Sequence, residues 1–575
     1  MSDPLATITA LLEPVFADLN GGAPADPTVR PSDHADLQVN GALPLAKRVG
    51  TNPRELAHQI VDSGVLTEVA SAVEVAGPGF LNVTLSPAFI AEQLREVSTD
   101  DRLGVPVADR QTVVVDYSSP NVAKEMHVGH LRTTVIGDAL VRMFGFLGHE
   151  VIRENHIGDW GTPFGMLIEH LLDEGMTDTA SASAIGDLDE FYKAARTQFD
   201  GSEEFQERSR QRVVKLQAGD DETLRLWRVL VEVSEQHFNS VYRRLGVLLT
   251  NDDVVGESFY QPLMPEVMRR LREADLLTES DGADVVFPPG FTNRDGDPLP
   301  LILQKKTGGF NYATSDLACV LDRVERLGAD RILYVVDAGQ SLHFEMVFKV
   351  SEMAGWLVPP TEAHHVQFGI VLGTDRKRLR SRSGEPLKFA ELLDEADERA
   401  RAAVADKNPD LSDEVRTEVA RMIGIGAVKY AELSSDRVKD YIFDWDRMLS
   451  FDGNTAPYLQ YAHARICSIF RRSGVERASV RGASIEIGAP EERTLALRLL
   501  GYPTALANAV ESYSPHKLCT YIYELATDFT AFYEHCPVLR ADEPLRTSRL
   551  ALADLTARIL EHGLGLLGVD VPDQM

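Results

Sequence analysis

Cysteine is scarce in this chain, and none of its cysteines lies at a metal-binding or redox spacing. The 575 residues contain Cys319, Cys467, Cys519 and Cys536, with no Cys-x-x-Cys pair. This usage argues against a zinc site or a disulfide framework and indicates a reducing compartment. The sequence also lacks an apolar run near the ~18 residues of a membrane span and a basic segment leading into an apolar core at its start. We therefore expect a cytoplasmic protein without a metal site or a membrane partner.

Positive charge is scarce as well. The chain has 58 Lys and Arg against 88 Asp and Glu, a formal net charge of −30. Taken alone, this balance argues against a nucleic-acid partner, whose phosphates attract Lys and Arg. The excess acidity lies mostly before residue 451, and the carboxyl-terminal part is nearly balanced. Composition therefore weakens a nucleic-acid hypothesis without excluding it, in a chain long enough for three or four domains.

The most informative stretch runs from Asp116 to His130. Before it, Thr112–Val115 predicts a buried strand, and after it Leu131–Leu147 has apolar residues at helical spacing. A second strand is predicted directly afterwards, at Glu150–Asn155. This order places the His-x-Gly-His at the start of a helix and at the carboxyl end of a parallel strand, where open α/β sheets bind ligands.

The two histidines have a chemistry that suits phosphate. His127 and His130 are three residues apart, which favours rings on the same side of a helix, and a helix N-terminus itself attracts anions. Two imidazole N–H donors could stabilise charge that develops during nucleotidyl transfer, and Gly129 lets a ligand approach the backbone. Chance or a capping role remains an alternative. A zinc pair is disfavoured, because the Glu of His-Glu-x-x-His and a third ligand at familiar spacing are absent.

The longer string carries a specific resemblance. Ser-Ser-Pro-Asn-Val-Ala-Lys-Glu-Met-His-Val-Gly-His-Leu-Arg starts at residue 118, and Asn-His-Ile-Gly-Asp-Trp-Gly follows at residue 155. Together they closely resemble class I aminoacyl-tRNA synthetases, specifically arginyl-tRNA synthetases. The resemblance implies ATP-dependent ligation of L-arginine to tRNA(Arg) through arginyl-adenylate, with ATP as a substrate and Mg²⁺ on its phosphates.

The resemblance also implies an arginine pocket. A guanidinium needs several acceptors, preferably carboxylates, and the matching positions are Asp116, Asn121, Tyr312, Asp316 and Gln340. Asp116 departs from the family pattern, because a Glu stands there in the relative we compared. For Asp316 an alternative is a carboxylate in the first turn of a helix, where the helix dipole stabilises it.

A class I synthetase also needs basic residues that hold the triphosphate, usually in a Lys-Met-Ser-Lys-Ser loop. That consensus is absent, and Arg380 and Arg382 in an Arg-Ser-Arg-Ser run are the local substitutes. A solvated loop without a function is the alternative for this run. The resemblance implies that Lys124, upstream of the histidines, compensates for the missing lysine. It also implies that ATP contacts the first motif through His127, Gly129 and His130 and a later segment through Gln367, Phe368 and Gly369.

The resemblance covers nearly the whole chain and predicts its fold class: an α/β Rossmann-like catalytic domain with a parallel sheet, a small N-terminal α/β domain and an all-α C-terminal anticodon-binding bundle. The predicted limits are residues 1–104 for an N-terminal domain that contacts the tRNA elbow, 110–399 for the catalytic domain with a helical insertion at about 165–257, and 400–575 for the helical part. Further parallel strands are predicted at Leu299–Leu303 and Arg331–Val336.

The strongest motif of the carboxyl-terminal half begins a helix near residue 456. Aromatic, amide and arginine side chains suit stacking and hydrogen bonding on unpaired bases. The predicted tRNA contacts are Tyr458, Gln460, Tyr461, His463 and Arg465. Tyr458, Tyr461 and His463 cannot all share one face of a helix, so a core role is the alternative for each ring.

Two other functions remain open from the sequence. One is a different nucleotidyltransferase with the same His-x-Gly-His, which would need neither the helical region nor the arginine pocket. The other is a catalytically inactive synthetase paralogue that binds tRNA, which the intact His127, His130 and Lys124 disfavour. For the synthetase that the resemblance implies, we expect a monomer.

Overall fold

The computed structural model describes residues 3–32, 34–178, 188–380, 387–407 and 411–575. The chain divides into two compact units: residues 1–107, 407–423 and 450–575 form the first, and residues 108–406 and 424–449 form the second. Within the described residues, no helix combines the length and the apolar character needed to cross a bilayer.

The first unit begins with a four-stranded antiparallel sheet in the order β1-β2-β4-β3. Its strands are β1 (Val29–Pro31), β2 (Leu37–Val39), β3 (Ala70–Ala76) and β4 (Phe80–Leu85), and its helices are Pro4–Leu19, Ala42–Val49, Pro53–Asp62 and Pro87–Thr99. Ser86 caps the last of these helices, because its side chain accepts a hydrogen bond from the Phe89 amide and a proline follows it.

The rest of the first unit is helical, as the sequence predicts. After residue 450 its α-helices are Ala456–Ser473, Pro490–Leu500, Tyr502–Glu511, Pro515–His535 and Leu545–Leu566. Within this unit Arg493 connects the bundle to the N-terminal sheet, since its guanidinium pairs with Asp36 and donates to the Leu85 carbonyl at 2.8 Å.

The second unit is built on a four-stranded parallel sheet in the order β11-β10-β5-β6. The first two of its strands along the chain are β5 (Thr112–Asp116) and β6 (Glu150–Glu154), and helix Gly129–Leu147 connects them. This is the predicted strand–helix–strand unit. The helix buries most of its residues, so the polar start of the helix and the end of β5 are left to form a site.

The remaining strands of this unit include one that corrects a prediction. The strands are β7 (Thr278–Ser280), β8 (Ala283–Val286), β9 (Leu301–Gln304), β10 (Arg331–Tyr334), β11 (Glu362–His365), β12 (Val371–Leu372) and β13 (Tyr441–Ile442). The predicted parallel strand at Leu299–Leu303 is wrong, because β9 pairs antiparallel with β8 in a separate three-stranded sheet. Ile302 in its middle is 40% exposed, so only one face of this apolar run is buried and the run is not a central parallel strand.

The helices of the second unit include the predicted insertion. The described α-helices after β6 are Pro163–Asp173, Leu188–Gly201, Glu203–Gln217, Asp221–Leu245, Glu257–Tyr260, Met264–Glu273, Tyr312–Glu325, Ser341–Met353, Phe389–Lys407, Asp413–Ser434 and Trp445–Met448. Two of them, Phe389–Lys407 and Asp413–Ser434, extend into residues of the first unit. The described residues of the insertion are therefore mainly helical through Leu245, and the longest of these helices, Asp221–Leu245, lies against the loop that follows β5.

Candidate active site

The loop between β5 and helix Gly129–Leu147 has an unusual backbone. Ser118, Ser119 and Ala123 all have positive φ values, 75°, 49° and 59°, a conformation that non-glycine residues rarely adopt. Each of their amides is held by a side chain: Thr133 Oγ1 accepts from Ser118 at 3.0 Å, Asn155 Oδ1 from Ser119 at 3.0 Å, and Ser234 Oγ from Ala123 at 2.9 Å. The surrounding structure therefore fixes the strained loop.

The insertion helix Asp221–Leu245 contributes to this support. Its Tyr242 is 3% exposed, and its hydroxyl lies 2.7 Å from Ser118 Oγ and accepts from Asn155 Nδ2 at 3.1 Å. Burial raises the pKa of Tyr242, so the hydroxyl keeps its proton. The sequence marks the insertion only as helical, and nothing in its spacing identifies Tyr242 as a residue that positions the site.

The predicted histidine pair is assembled at the helix start. The rings of His127 and His130 lie 4.1 Å apart between centroids. The backbone amide of His127 donates to His130 Nδ1 at 3.1 Å, and the amide of Gly129 donates to His127 Nδ1 at 3.0 Å. Since both Nδ1 atoms accept, each neutral ring carries its proton on Nε2. A Cβ on Gly129 would lie 2.7 Å from the His127 ring, so glycine is needed for this arrangement.

Both rings are neutral near pH 7. Desolvation lowers the pKa of His127, and it lowers the pKa of His130, with a contribution from the neighbouring His127, to about 3. The pair therefore offers two N–H donors that do not depend on protonation, which suits oxygen atoms of a phosphate.

A cavity of about 490 Å³ opens beside the pair. Six predicted residues lie in its lining. Five are predicted ATP contacts, namely His127, Gly129, His130, Phe368 and Gly369, and the sixth is Arg380 from the Arg-Ser-Arg-Ser run. The volume lies in the range of small-molecule sites. Gln367 is not part of the lining; its side chain accepts from the Ser341 hydroxyl at 2.9 Å.

Arg132 supports the far wall of this cavity and is absent from the sequence prediction. It is 1% exposed, donates to the Gly369 carbonyl at 2.8 Å and the Lys439 carbonyl at 3.0 Å, and lies 3.1 Å from the Glu432 carboxylate. Burial raises the pKa of Glu432 to about 7. The signal available in the sequence was its place directly after the second histidine, as the Arg of His-Leu-Arg.

Two predicted arginine contacts meet around His343. Its Nε2 lies 2.5 Å from Asp316 Oδ2, and its ring centroid lies 4.7 Å from that of Tyr312, which is 61% exposed. Gln340 is exposed at the end of the short helix Ala338–Gln340. Asp316 stands in the second turn of its helix, so a role in the first turn does not apply.

Asn121 and Asp116 differ in whether their side chains are accessible to a substrate. Asn121 is exposed and its loop forms a bridge with Gly158. Asp116 is 6% exposed, and its carboxylate accepts from the fully buried Arg323 at 2.7 Å; the same guanidinium donates to Glu154 at 2.6 Å. Asp116 is therefore paired within the protein, with a partner more than 200 residues along the chain that the sequence pattern could not reveal.

The structure describes two of the three basic residues predicted for the triphosphate site. The ammonium group of Lys124 is 4.6 Å from the centroid of the Tyr192 ring, a cation–π contact, and the side chain is exposed. Arg380 is exposed and lines the cavity. Arg382 lies outside the described residues.

The predicted tRNA contacts on helix Ala456–Ser473 split into two groups. Tyr461 is 44% exposed, whereas Tyr458 and Arg465 are partly buried beside aromatic rings. Gln460 and His463 are 0% and 1% exposed: Gln460 donates to the Asp570 carbonyl at 2.8 Å and His463 Nδ1 lies 3.2 Å from the Pro572 carbonyl. The structure thus corrects the prediction for Gln460 and His463, which face the interior because they lie three apart on the inner side of the helix.

The catalytic unit is that of a class I aminoacyl-tRNA synthetase, because a parallel sheet presents a His-x-Gly-His at the helix that follows its β5 strand. Residues 93–445 match the family described as tRNA synthetases class I (R), catalytic domain; residues 6–85 match the arginyl tRNA synthetase N terminal domain, and residues 459–575 the DALR anticodon binding domain. The chain belongs to the arginyl-tRNA synthetase family.

Individual relatives agree with that membership. The arginine–tRNA ligase of Thermobifida fusca (strain YX) is 54% identical over 551 residues, covering 96% of this chain and 95% of that protein. The arginine–tRNA ligase of Salmonella enteritidis PT4 is 48% identical over 565 residues, covering 97% and 98%. Among solved structures, arginyl-tRNA synthetase from Plasmodium falciparum has a TM-score of 0.85 at 29% identity, covering 99% of both chains. The Thermus thermophilus enzyme has a TM-score of 0.81 at 26% identity, covering 100% of both chains.

Proposed function

We propose which residues of this chain bind the nucleotide, the arginine and the tRNA in the reaction of its family. The chain is an arginine–tRNA ligase. ATP and L-arginine condense to arginyl-adenylate and diphosphate, and the arginyl group then passes to the terminal adenosine of tRNA(Arg), releasing AMP. The substrate carboxylate is the nucleophile toward the α-phosphorus, so the protein contributes positioning and charge stabilisation.

The nucleotide occupies the cavity beside the histidine pair. His127 and His130 donate Nε2–H bonds to phosphate oxygens as the charge on them develops, and Arg380 adds a permanent positive charge. Lys124 supplies the second cation. The observation that carries this assignment is the pair of neutral, closely spaced imidazoles at a helix N-terminus, on the wall of a cavity of about 490 Å³.

Mg²⁺ would arrive with ATP and be bound mainly by phosphate and water. Among the residues that line the cavity, only Asp337 carries a carboxylate. A single carboxylate suits Mg²⁺, because this ion usually keeps several water ligands and binds one or two carboxylates together with substrate phosphates.

Arginine binds on the side of Tyr312, Asp316 and Gln340. Asp316 offers the carboxylate for the guanidinium and Tyr312 a ring face above it. Asn121 holds the α-amino or carboxylate end. Asp116 acts beneath the pocket, where its ion pair with Arg323 holds the end of β5.

The tRNA contacts are assigned to each unit separately. On the helical bundle they come from Tyr458, Tyr461 and Arg465. On the N-terminal domain, a cavity of about 640 Å³ has Arg30, Gln38, Phe80 and Asn82 in its lining. These side chains supply a cation, two amides and an aromatic ring. Stacking and amide hydrogen bonds would let this surface hold an unpaired base of the tRNA elbow. The protein acts as a cytoplasmic monomer.

Charging of a tRNA(Arg) transcript tests the proposal directly. Purified protein with ATP, Mg²⁺ and arginine should form arginyl-tRNA, and replacement of arginine by lysine should give none. Folded protein that charges no tRNA would indicate an inactive paralogue. Release of diphosphate with another carboxylic acid, without arginine dependence, would indicate a different nucleotidyltransferase.

A further inference from the structure

A group of metal-binding side chains lies in the helical part of the first unit, outside the site described above. His463 and Cys467 are one turn apart on helix Ala456–Ser473, and Asp573 comes from the last residues of the chain. One ligand atom from each lies within 4.8 Å of the others. Cys467 Sγ is 3.9 Å from His463 Nε2 and 3.6 Å from Asp573 Oδ1.

These separations are close to those of a tetrahedral zinc site. With Zn–S of ~2.3 Å and Zn–N or Zn–O of ~2.0 Å, ligand atoms in a tetrahedron lie about 3.3–3.6 Å apart. The two separations from Cys467 Sγ, 3.9 and 3.6 Å, lie within a few tenths of an ångström of that range, and the ligand atoms of His463 and Asp573 lie within 4.8 Å of each other, so side-chain movements would bring the three ligands around an ion. A histidine and a cysteine at positions i and i+4 present their ligand atoms on the same face of a helix.

The orientation of His463 is that of a metal ligand. Its Nδ1 lies 3.2 Å from the Pro572 carbonyl, a contact in which Nδ1 carries the proton, so that in the neutral ring the lone pair is on Nε2. Metal-bound histidines commonly have such an outer partner, which fixes the tautomer and the ring. The ring is 1% exposed, and its Nε2 lies 3.8 Å from Glu561 Oε2.

We propose that His463, Cys467 and Asp573 bind a divalent transition-metal ion of the zinc type, with water as the fourth ligand. Asp573 is exposed, which gives the ion a path to the two buried ligands. The bound ion ties the C-terminal segment to the helix that carries the proposed tRNA contacts. The sequence alone predicts no metal site because no cysteines are closely spaced, and the fold brings Asp573 to Cys467 from 106 residues along the chain.

Cobalt provides the test, because a Co²⁺–thiolate bond gives a charge-transfer band in the near ultraviolet. Full-length protein freed of metal with a chelator should bind one Co²⁺ with this band, and Zn²⁺ should displace it. Zn²⁺ should also raise the midpoint of thermal unfolding, since an ion that binds only the folded state stabilises it. Absence of a stoichiometric thiolate band in the wild type would overturn the proposal.

Variants separate this site from the other cysteines. Cys467→Ser should abolish the band, and Cys536→Ala, which changes a buried cysteine elsewhere in the bundle, should leave it intact. Asp573→Asn lies on the exposed tail and should weaken Co²⁺ affinity ~10-fold or more without affecting folding. A band that survives Cys467→Ser would contradict the proposal. If Cys467→Ser does not fold, unchanged Co²⁺ affinity in Asp573→Asn would contradict it equally.

Discussion

Two helices carry histidines that the sequence marks as ligand contacts, and the structure treats them differently. At the start of helix Gly129–Leu147, the rings of His127 and His130 lie 4.1 Å apart and line a cavity. On helix Ala456–Ser473, His463 is 1% exposed and contacts the backbone of the C-terminal segment. In the first case the residues sit where the chain enters the helix from a strand end, so topology alone fixes their direction. In the second case His463 lies in the middle of the helix, where the direction of a side chain depends on which face of the helix the bundle covers.

The position of a residue within its helix therefore decides how well a sequence motif predicts a ligand contact. A helix N-terminus at the carboxyl edge of a parallel sheet faces the ligand crevice whatever the rest of the fold does. An interior helical residue has no such constraint, and its burial depends on partners distant in sequence. The following variants test that distinction, beginning with the largest expected effect.

Replacement of His127 should have the largest effect. His127→Ala removes a donor to the developing phosphate charge, and we expect the charging rate to fall ~10²-fold or more, as for other preorganised donors of this kind. His463→Gln on the other helix is the matched control, and its effect on the charging rate should be much smaller. Steady-state aminoacylation measures both. An unchanged rate in His127→Ala would show that the first helix holds no catalytic contact.

Asp316→Ala tests the arginine side of the same site. Loss of a carboxylate that binds a guanidinium costs about 1.5–3 kcal/mol, so the KM for arginine should rise about 10- to 100-fold, with a smaller change in kcat. Asp322→Asn, on the same helix but paired with Arg326, should leave that KM unchanged. A rise confined to the KM for ATP would mean that the pocket is misassigned.

Tyr461 and Gln460 are neighbours that sharpen the comparison on the second helix. Stacking of a base on an aromatic ring is worth about 1–3 kcal/mol, so Tyr461→Ala should raise the KM for tRNA ~10-fold without loss of stability. Gln460→Ala should lower the free energy of unfolding by about 1–3 kcal/mol, because it truncates a fully buried side chain and removes the donor to the Met422 and Asp570 carbonyls. Its KM for tRNA should not change. The reverse pattern would restore Gln460 as a tRNA contact.

How far the sequence predicts the molecule can be judged from these residues. The strand–helix–strand unit and the place of the histidine pair follow from motif and topology, whereas the cavity neighbours Phe368 and Gly369 are implied by the family resemblance. The pairing of Asp116 with Arg323 does not, because a buried ion pair depends on a partner brought in by the tertiary fold. The same holds for β9, whose apolar run gave no indication of which face is exposed, and for the inward direction of Gln460.

The low pKa of His130 predicts a dependence of stability on pH. The neutral form is favoured in the folded state, whose pKa is about 3, whereas the unfolded chain binds a proton below pH 6.5. As the pH falls from 6.5, the free energy of unfolding should therefore decrease, by about 1 kcal/mol per pH unit from this group. Chemical denaturation at several pH values measures the slope, and His130→Gln should flatten it. Equal slopes in the two proteins would mean that His130 is not desolvated.

The smallest effect is expected for Tyr242→Phe, which asks whether the insertion belongs to the site. The change keeps the ring and removes a hydroxyl that contacts Ser118 and Asn155, worth about 0.5–1.5 kcal/mol. Since that hydroxyl helps to hold a backbone with positive φ, kcat should fall severalfold while the KM values change little. Tyr192→Phe is the control, because its ring and not its hydroxyl contacts Lys124. Equal kcat in both variants would mean that Thr133 and Ser234 hold the loop without help, and that the helix start alone determines the direction of the histidines.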